Sequence, residues 1–303
     1  MGSLAGCSSS DDSGETAGNT GGGSSTGGRS STGGTSPLPD AGGGSAASEC
    51  HGPGYADGTA AIAFSGLTAS VVDESGNPAG HVMAQACGTN VCLNGLTNAD
   101  GTVDIAGPGS LRRPAFKYGG GQHYARFALP LSPEPKQALD VGEQHTVAFD
   151  DPAEGATLEG GTTATSRLAT LTLASGATIT IDPFDFDTDD LKKFRAAEVP
   201  KATWPDAVDA TLTFAMVVAL TPSDAEICPA AKLSVKNTAK LAAGTLVDFF
   251  VHGTDVSEAW APYGGWAKVS SGHVSEDGAT IDTDDNGGIP ILSAVGIRAS
   301  QGK

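Results

Sequence analysis

Four groups of residues in this 303-residue chain have the types and spacing to do chemistry. Asp282-Thr283-Asp284-Asp285-Asn286-Gly287 fits D-x-[DN]-x-[DN]-G, the opening half of a calcium loop. Oxygens on Asp282, Asp284 and Asn286, two residues apart and followed by a glycine turn, suit a hard cation such as Ca2+. The twelfth position is Ser293, where a bidentate Glu completes the motif, so a solvated acidic hairpin is the competing reading. A second acidic run is Asp182-Pro183-Phe184-Asp185-Phe186-Asp187-Thr188-Asp189-Asp190. Strand alternation would set Asp185 and Asp187 on one face and Phe184 and Phe186 on the other; a strand end with a buried Phe pair is one reading, and a site for a cation or a basic partner surface is the other. The third group, Trp260-Ala261-Pro262-Tyr263-Gly264-Gly265-Trp266, concentrates two of the three tryptophans. Trp266 starts a strand. Trp260 and Tyr263 lie in the loop before it, where rings either contact a ligand, stacking on a sugar or docking in a partner, or cover the end of a core.

The cysteines are the fourth group. Setting Cys7 aside leaves Cys50, Cys87, Cys92 and Cys228, an even number that in an exported chain reads as two disulfides with three possible pairings. Cys87-Gly88-Thr89-Asn90-Val91-Cys92 closes a short loop with Gly and Asn inside it, as a hairpin tip requires. That favours Cys87 with Cys92, worth roughly 2 kcal/mol by loop closure, and leaves Cys50 with Cys228. Zinc is the competing reading, for which C-x4-C spacing is loose; His51, beside Cys50, is the histidine adjacent to a cysteine. Hydrolase signatures do not stand in the strand-patterned region, which holds neither a G-x-S-x-G elbow nor H-E-x-x-H. The six histidines, His51, His81, His123, His145, His252 and His273, are scattered through turns and strands.

What must position these groups is a strand-built chain behind a polar leash. The first 49 residues hold 14 Gly, 12 Ser and 5 Thr and no aromatic residue. Such a segment cannot offset an ordering entropy of about 1–2 kcal/mol per residue and reads as a disordered linker spanning roughly 40 Å. From about Thr59 apolar residues alternate with polar ones, as in Leu67, Ala69, Val71 and again in Val82, Ala84, Ala86. Turn clusters follow at 73–78 and 97–101. Leu171 to Ile181 reads as two strands flanking a tight turn. Ala210, Leu212, Phe214, Met216, Val218 and Leu220 form the longest alternating apolar row and are expected to make the core of a second sandwich. The fold class is therefore all-β: two β-sandwich domains, at 50–140 and 141–303, after the linker at 1–49. A formal charge of −18, with 17 Lys+Arg against 35 Asp+Glu, excludes nucleic acid as a partner. No run of 18 or more apolar residues occurs.

Three stretches resemble known families. Leu4-Ala5-Gly6-Cys7, followed by Ser8 and the Gly/Ser tract, resembles the lipobox of bacterial lipoproteins. Met1-Gly2-Ser3 alone precede it, where a signal peptide places a basic stretch and about 7–15 apolar residues. The resemblance implies export, acylation of Cys7, and a lipid anchor at the outer membrane or cell surface. Residues 62–132 resemble a carboxypeptidase-regulatory-like domain, a prealbumin-like sandwich, through Asp73, Gly76, Pro78, Thr97, Asn98, Asp100 and Gly101. The inserted Cys pair and the Gly-rich segment after Tyr118 depart from that pattern. Residues 155–298 resemble ZU5-like β-domains of bacterial surface proteins, through Gly244, Thr245, Val247, Asp248, Trp266, Val269, Gly272, Val274, Ser275, Asp277 and Gly278. Neither domain family brings catalytic residues. Together these features point to a lipid-anchored surface protein acting as a non-catalytic binding or structural module toward a protein or glycan partner. An accessory or divergent hydrolase of the cell envelope, carbohydrate-directed, is the alternative.

Overall fold

The computed structural model describes residues 50–55, 59–120, 123–133 and 137–301. Among them the chain is all-β, and the only helical pieces are short 3-10 turns. Seven strands come first: β1 (Ile62–Val72), β2 (Met83–Cys87), β3 (Cys92–Leu96), β4 (Thr102–Leu111), β5 (Ala115–Gly120), β6 (Tyr124–Pro130) and β7 (Leu139–His145). They form a three-stranded sheet, β4-β1-β7, and a four-stranded sheet, β3-β2-β5-β6. Period-two patterning produces both, since Leu67, Ala69 and Val71 of β1 point inward against Ala84 and Ala86 of β2 and Phe116 and Tyr118 of β5. The turn clusters are built as their residues require. Asp73 Oδ1 accepts from the Ser75 and Asn77 amides, 2.8 Å each, and Gly76 and Gly101 take φ of +81° and +79°. A side chain at Gly101 would also press into the Val71 carbonyl.

Eleven strands follow: β8 (Thr163–Thr165), β9 (Ala169–Thr172), β10 (Thr178–Thr180), β11 (Arg195–Val199), β12 (Met216–Thr221), β13 (Glu226–Lys236), β14 (Leu246–His252), β15 (Trp266–Val274), β16 (Thr280–Thr283), β17 (Ile289–Ile291) and β18 (Ala294–Ala299). They pair as β11-β12-β18-β14-β15-β16-β13-β9-β8, with β10 and β17 also on β13. One apolar core is filled from both ends of that order, by Met216, Val218, Phe249 and Ile297 and by Leu171, Leu233, Val235 and Ile281. The sheet therefore folds over on itself. Asp248, a member of the Gly-Thr-x-Val-Asp stretch, ties three central strands: Lys268 of β15 lies 2.7 Å and Arg298 of β18 3.6 Å from its carboxylate.

Two local expectations change. The alternating row from Ala210 is strand only from Met216. Asp209 accepts from the Thr211 amide and hydroxyl at 2.8 and 2.6 Å, capping a 3-10 turn at Ala210–Leu212 that Thr213 ends at φ +51°. Phe214 then joins the first core while Met216, Val218 and Leu220 face the second. The turn inside Leu171–Ile181 does form, with the Ala177 amide donating to the Ala174 carbonyl. Its flanking strands do not pair with each other; both run antiparallel to successive parts of β13, Thr178–Thr180 against Glu226–Cys228 and Ala169–Thr172 against Lys232–Val235.

Burial sets the energetics. Replacing Phe249, fully buried on β14, by Ala is expected to cost about 3–5 kcal/mol in urea unfolding. Leu246→Ala on the same strand, 66% exposed, is expected to stay within about 0.5 kcal/mol.

Candidate functional site

The densest chemistry lies where β5 and β6 meet the loops of the eleven-stranded sheet. Arg126 on β6 is buried, with Nη2 2.5 Å from Asp185 and Nη1 2.8 Å from Asp224. Asp224 sits in the turn between β12 and β13 and also accepts from the Thr254 hydroxyl. Burial pulls the guanidinium's pKa down; the two carboxylates outweigh it and hold the pKa above its ordinary value. Beside it, half-buried Lys117 of β5 is shifted down by burial and by Arg126, against the pull of Asp224, Asp185 and Asp255.

Two residues along β6, the Ala128 amide donates to His252 Nε2 at 3.0 Å. Nε2 therefore carries no proton, and Nδ1–H donates to the Gly265 carbonyl at 3.0 Å. The imidazole stacks on Trp266 with ring centres 4.7 Å apart and packs against Phe127 at 6.0 Å. Burial pushes its pKa down to about 4, opposed by the Gly265 hydrogen bond and the charge of Asp224. This ring is a neutral structural clasp. Its loop is pinned again at Glu258, which is buried, pairs with Arg113, and accepts from the Tyr263 amide at 2.7 Å. The backbone of Gly54 and Tyr55 bonds to Ala259 and Glu258 across it.

That packing decides how the loop aromatics are presented. Trp260 is 6% and Tyr263 4% exposed, so neither ring offers a face to solvent. Gly52 lies so close to Ala259 and Trp260 that a Cβ there would collide. The neighbouring enclosed space, beside Thr254 and Trp260, is about 10 Å³, room for one water. An open groove of about 350 Å³ lies instead on the outer face of β4-β1-β7. Register sets its floor in two rows, Asp104–Thr68–Asp140 and Thr102–Ser70–Glu143, with hydroxyls on Thr68 and Ser70 along the centre and, on the flanks, carboxylates at three positions and the Thr102 hydroxyl at the fourth.

Asp282 on β16 accepts from the Thr280 hydroxyl at 2.8 Å, while Asp284, past the strand end, lies 3.3 Å from His273 Nδ1. Asp285, between Asp284 and Asn286, pairs with Lys232 at 2.6 Å. Among the described residues no three His, Cys, Asp or Glu side chains gather where a metal ion could be held. Cys87 and Cys92 face each other across β2 and β3 with Cα atoms 4.0 Å apart, and Cys50 and Cys228 are 5.2 Å apart; both pairs are bonded. Cys7 lies outside the described residues. The acidic run is a turn, not a strand. Phe186 is buried and Phe184 is 94% exposed, so the expected buried pair is split. Asp185 goes to Arg126, because a tight turn, unlike a strand, aims neighbouring side chains in unrelated directions.

Arg126, Asp224, His252, Glu258 and Arg113 are the site residues that sequence reasoning missed. The one available signal was an arginine amid the apolar residues of β6. Neither the protein-family models nor the curated proteins contain a match to this chain.

Two outcomes follow from the seam. Arg126→Ala leaves two carboxylates without their cation and is expected to cost about 3–5 kcal/mol by urea unfolding; Arg126→Met is expected to cost less when Asp185 and Asp224 become Asn with it. The pH dependence comes from His252, whose folded pKa is depressed from an unfolded value near 6.5. The unfolded chain takes the proton first, so stability is full above pH 6.5 and falls as pH drops toward 4, by about 3 kcal/mol. His252→Gln is expected to flatten that slope by about one proton, read from unfolding free energies across the window.

Proposed function

We propose that this chain is a cell-envelope lipoprotein, acylated on Cys7 and held at the outer membrane or cell surface by its Gly/Ser/Thr leash. Its strand-built body binds or scaffolds a partner without catalysing a reaction. Leu4-Ala5-Gly6-Cys7 and the composition of the leash support the tether. The two bonded cysteine pairs agree with an oxidising compartment. The resemblances to carboxypeptidase-regulatory-like and ZU5-like domains point the same way.

One observation carries the non-catalytic reading. The side chains with the most chemical potential are consumed by the fold: both His252 nitrogens bond to backbone, and Arg126 closes on Asp185 and Asp224. A general base must be free to reach a substrate proton, and this imidazole is not. The rival hydrolase reading has a single favouring observation, the half-exposed His273–Asp284 pair at 3.3 Å.

Labelling cells with an alkynyl fatty acid is expected to mark the native precursor, and Cys7→Ser is expected to abolish the label and release the chain from membranes. An unlabelled native precursor overturns the tether. A panel of glycosidase, esterase and peptidase substrates is expected to show no turnover. Reproducible turnover lost in His273→Ala would replace the binding role with a hydrolase.

A further inference from the structure

Phe184 is 94% exposed, more than any other large apolar side chain among the described residues; Leu246 follows at 66%. Single exposed hydrophobes are ordinary on surfaces. What distinguishes this one is how firmly its neighbours are held. Pro183 before it fixes its own φ. The Phe184 amide donates to Asp182 Oδ1 at 2.9 Å, and the Phe186 amide to the Asp182 carbonyl at 3.1 Å. Asp185 is clamped by buried Arg126 at 2.5 Å, and Phe186 is sunk completely in the interior. Both residues after Phe184 are thus anchored, one through charge and one through burial. These contacts fix the turn, and the Phe184 ring projects from it into solvent.

The charges around the tip are unevenly neutralised. Lys192 and Lys193 answer Asp189 and Asp190 at 3.2 and 2.6 Å, and Arg126 answers Asp185. Asp182 and Asp187, the acids on either side of the tip, form no ion pair among the described residues. The result is an exposed apolar knob on an anchored turn, with a negative collar.

We propose that Phe184 is a docking knob for a protein partner that offers an apolar pocket rimmed by Lys or Arg. Because the ring stands at a convex turn tip, the concavity must come from the other side. A flat sugar ring does not supply one. A bilayer would take the ring only by drawing Asp182 and Asp187 against its headgroups. The anchored turn lowers the ordering cost that usually weakens loop-borne contacts, and buried aromatic anchors are frequent hot spots. The contact rests on the binding role proposed above and not on the lipid anchor, so a Cys7→Ser chain retains it.

The test places the photoreactive amino acid benzoylphenylalanine at position 184 of the full-length chain, and separately at Leu246, in cells. Support requires three results together. A protein adduct forms from position 184 and not from 246; the cross-linked peptide maps to a surface bearing Lys or Arg; and purified partner binds Phe184→Ala about tenfold or more weakly, with binding falling as salt rises. Phe184 lies outside the core, so Phe184→Ala is expected to melt with the parent chain, which separates lost docking from lost folding. No adduct, an adduct with lipid or glycan, an adduct with a second copy of this chain, or a pocket without basic residues each overturns the proposal.

Discussion

A strand with apolar side chains on both faces cannot end its packing with one partner layer, and that constraint organises this molecule. β12 reads Met216-Val217-Val218-Ala219-Leu220-Thr221 and is buried throughout. Met216, Val218 and Leu220 face the core of the folded-over eleven-stranded sheet, while Val217 and Ala219 face the core shared with β1, β5 and β6. β11 and β14 divide likewise, Val199 against Ala196 and Phe250 against Val251. Strands buried on both faces belong in the middle of a layered structure. The seven-stranded part covers what would otherwise be an exposed apolar sheet face.

Apolar contact of this kind is strong but undirected, and it would tolerate sliding of one layer over the other. The polar groups at the seam remove that tolerance. Arg126 must meet Asp185 and Asp224 together, and the Ala128 amide must meet His252 Nε2. These bonds lie two residues apart on one strand, so a slip of β6 would break both at once and leave buried charge unpaired. The net energy of a buried ion pair is small compared with the penalty for breaking it. Its contribution is register, and the shared core supplies the stability.

The sequence was readable wherever the information is local. Alternation in β1 and β2 and the Asp73 and Gly101 turns follow from side-chain period and positive φ, both set within a few residues. Two-sided burial was not readable from alternation: Val217 and Ala219 occupy the outward positions of a strand whose inward face was correctly expected to be core. The split between Phe184 and Phe186 depends on Arg126, 59 residues from the Asp185 that lies between them. The Thr213 break likewise depends on Asp209 accepting two bonds from Thr211 instead of letting the strand continue. In the candidate site, Trp260 and Tyr263 are conspicuous by composition, but their burial is decided by Gly52 and by Arg113, the partner of Glu258, both far off in sequence.

The same seam ties the exposed turn to the architecture. Arg126 neutralises Asp185 and so fixes the turn that lifts Phe184 into solvent, while His252, Asp224 and Thr254 hold the adjacent loop. The surface knob is therefore set by a contact between the two strand systems, and its orientation is only as firm as their docking. Loosening the seam would free one side of the turn before it unfolded either core, because only Asp185 ties the turn to Arg126 while its other contacts are local. A chain built this way couples its exposed contact to the integrity of the interior beneath it: the body that stays packed is the body that presents Phe184.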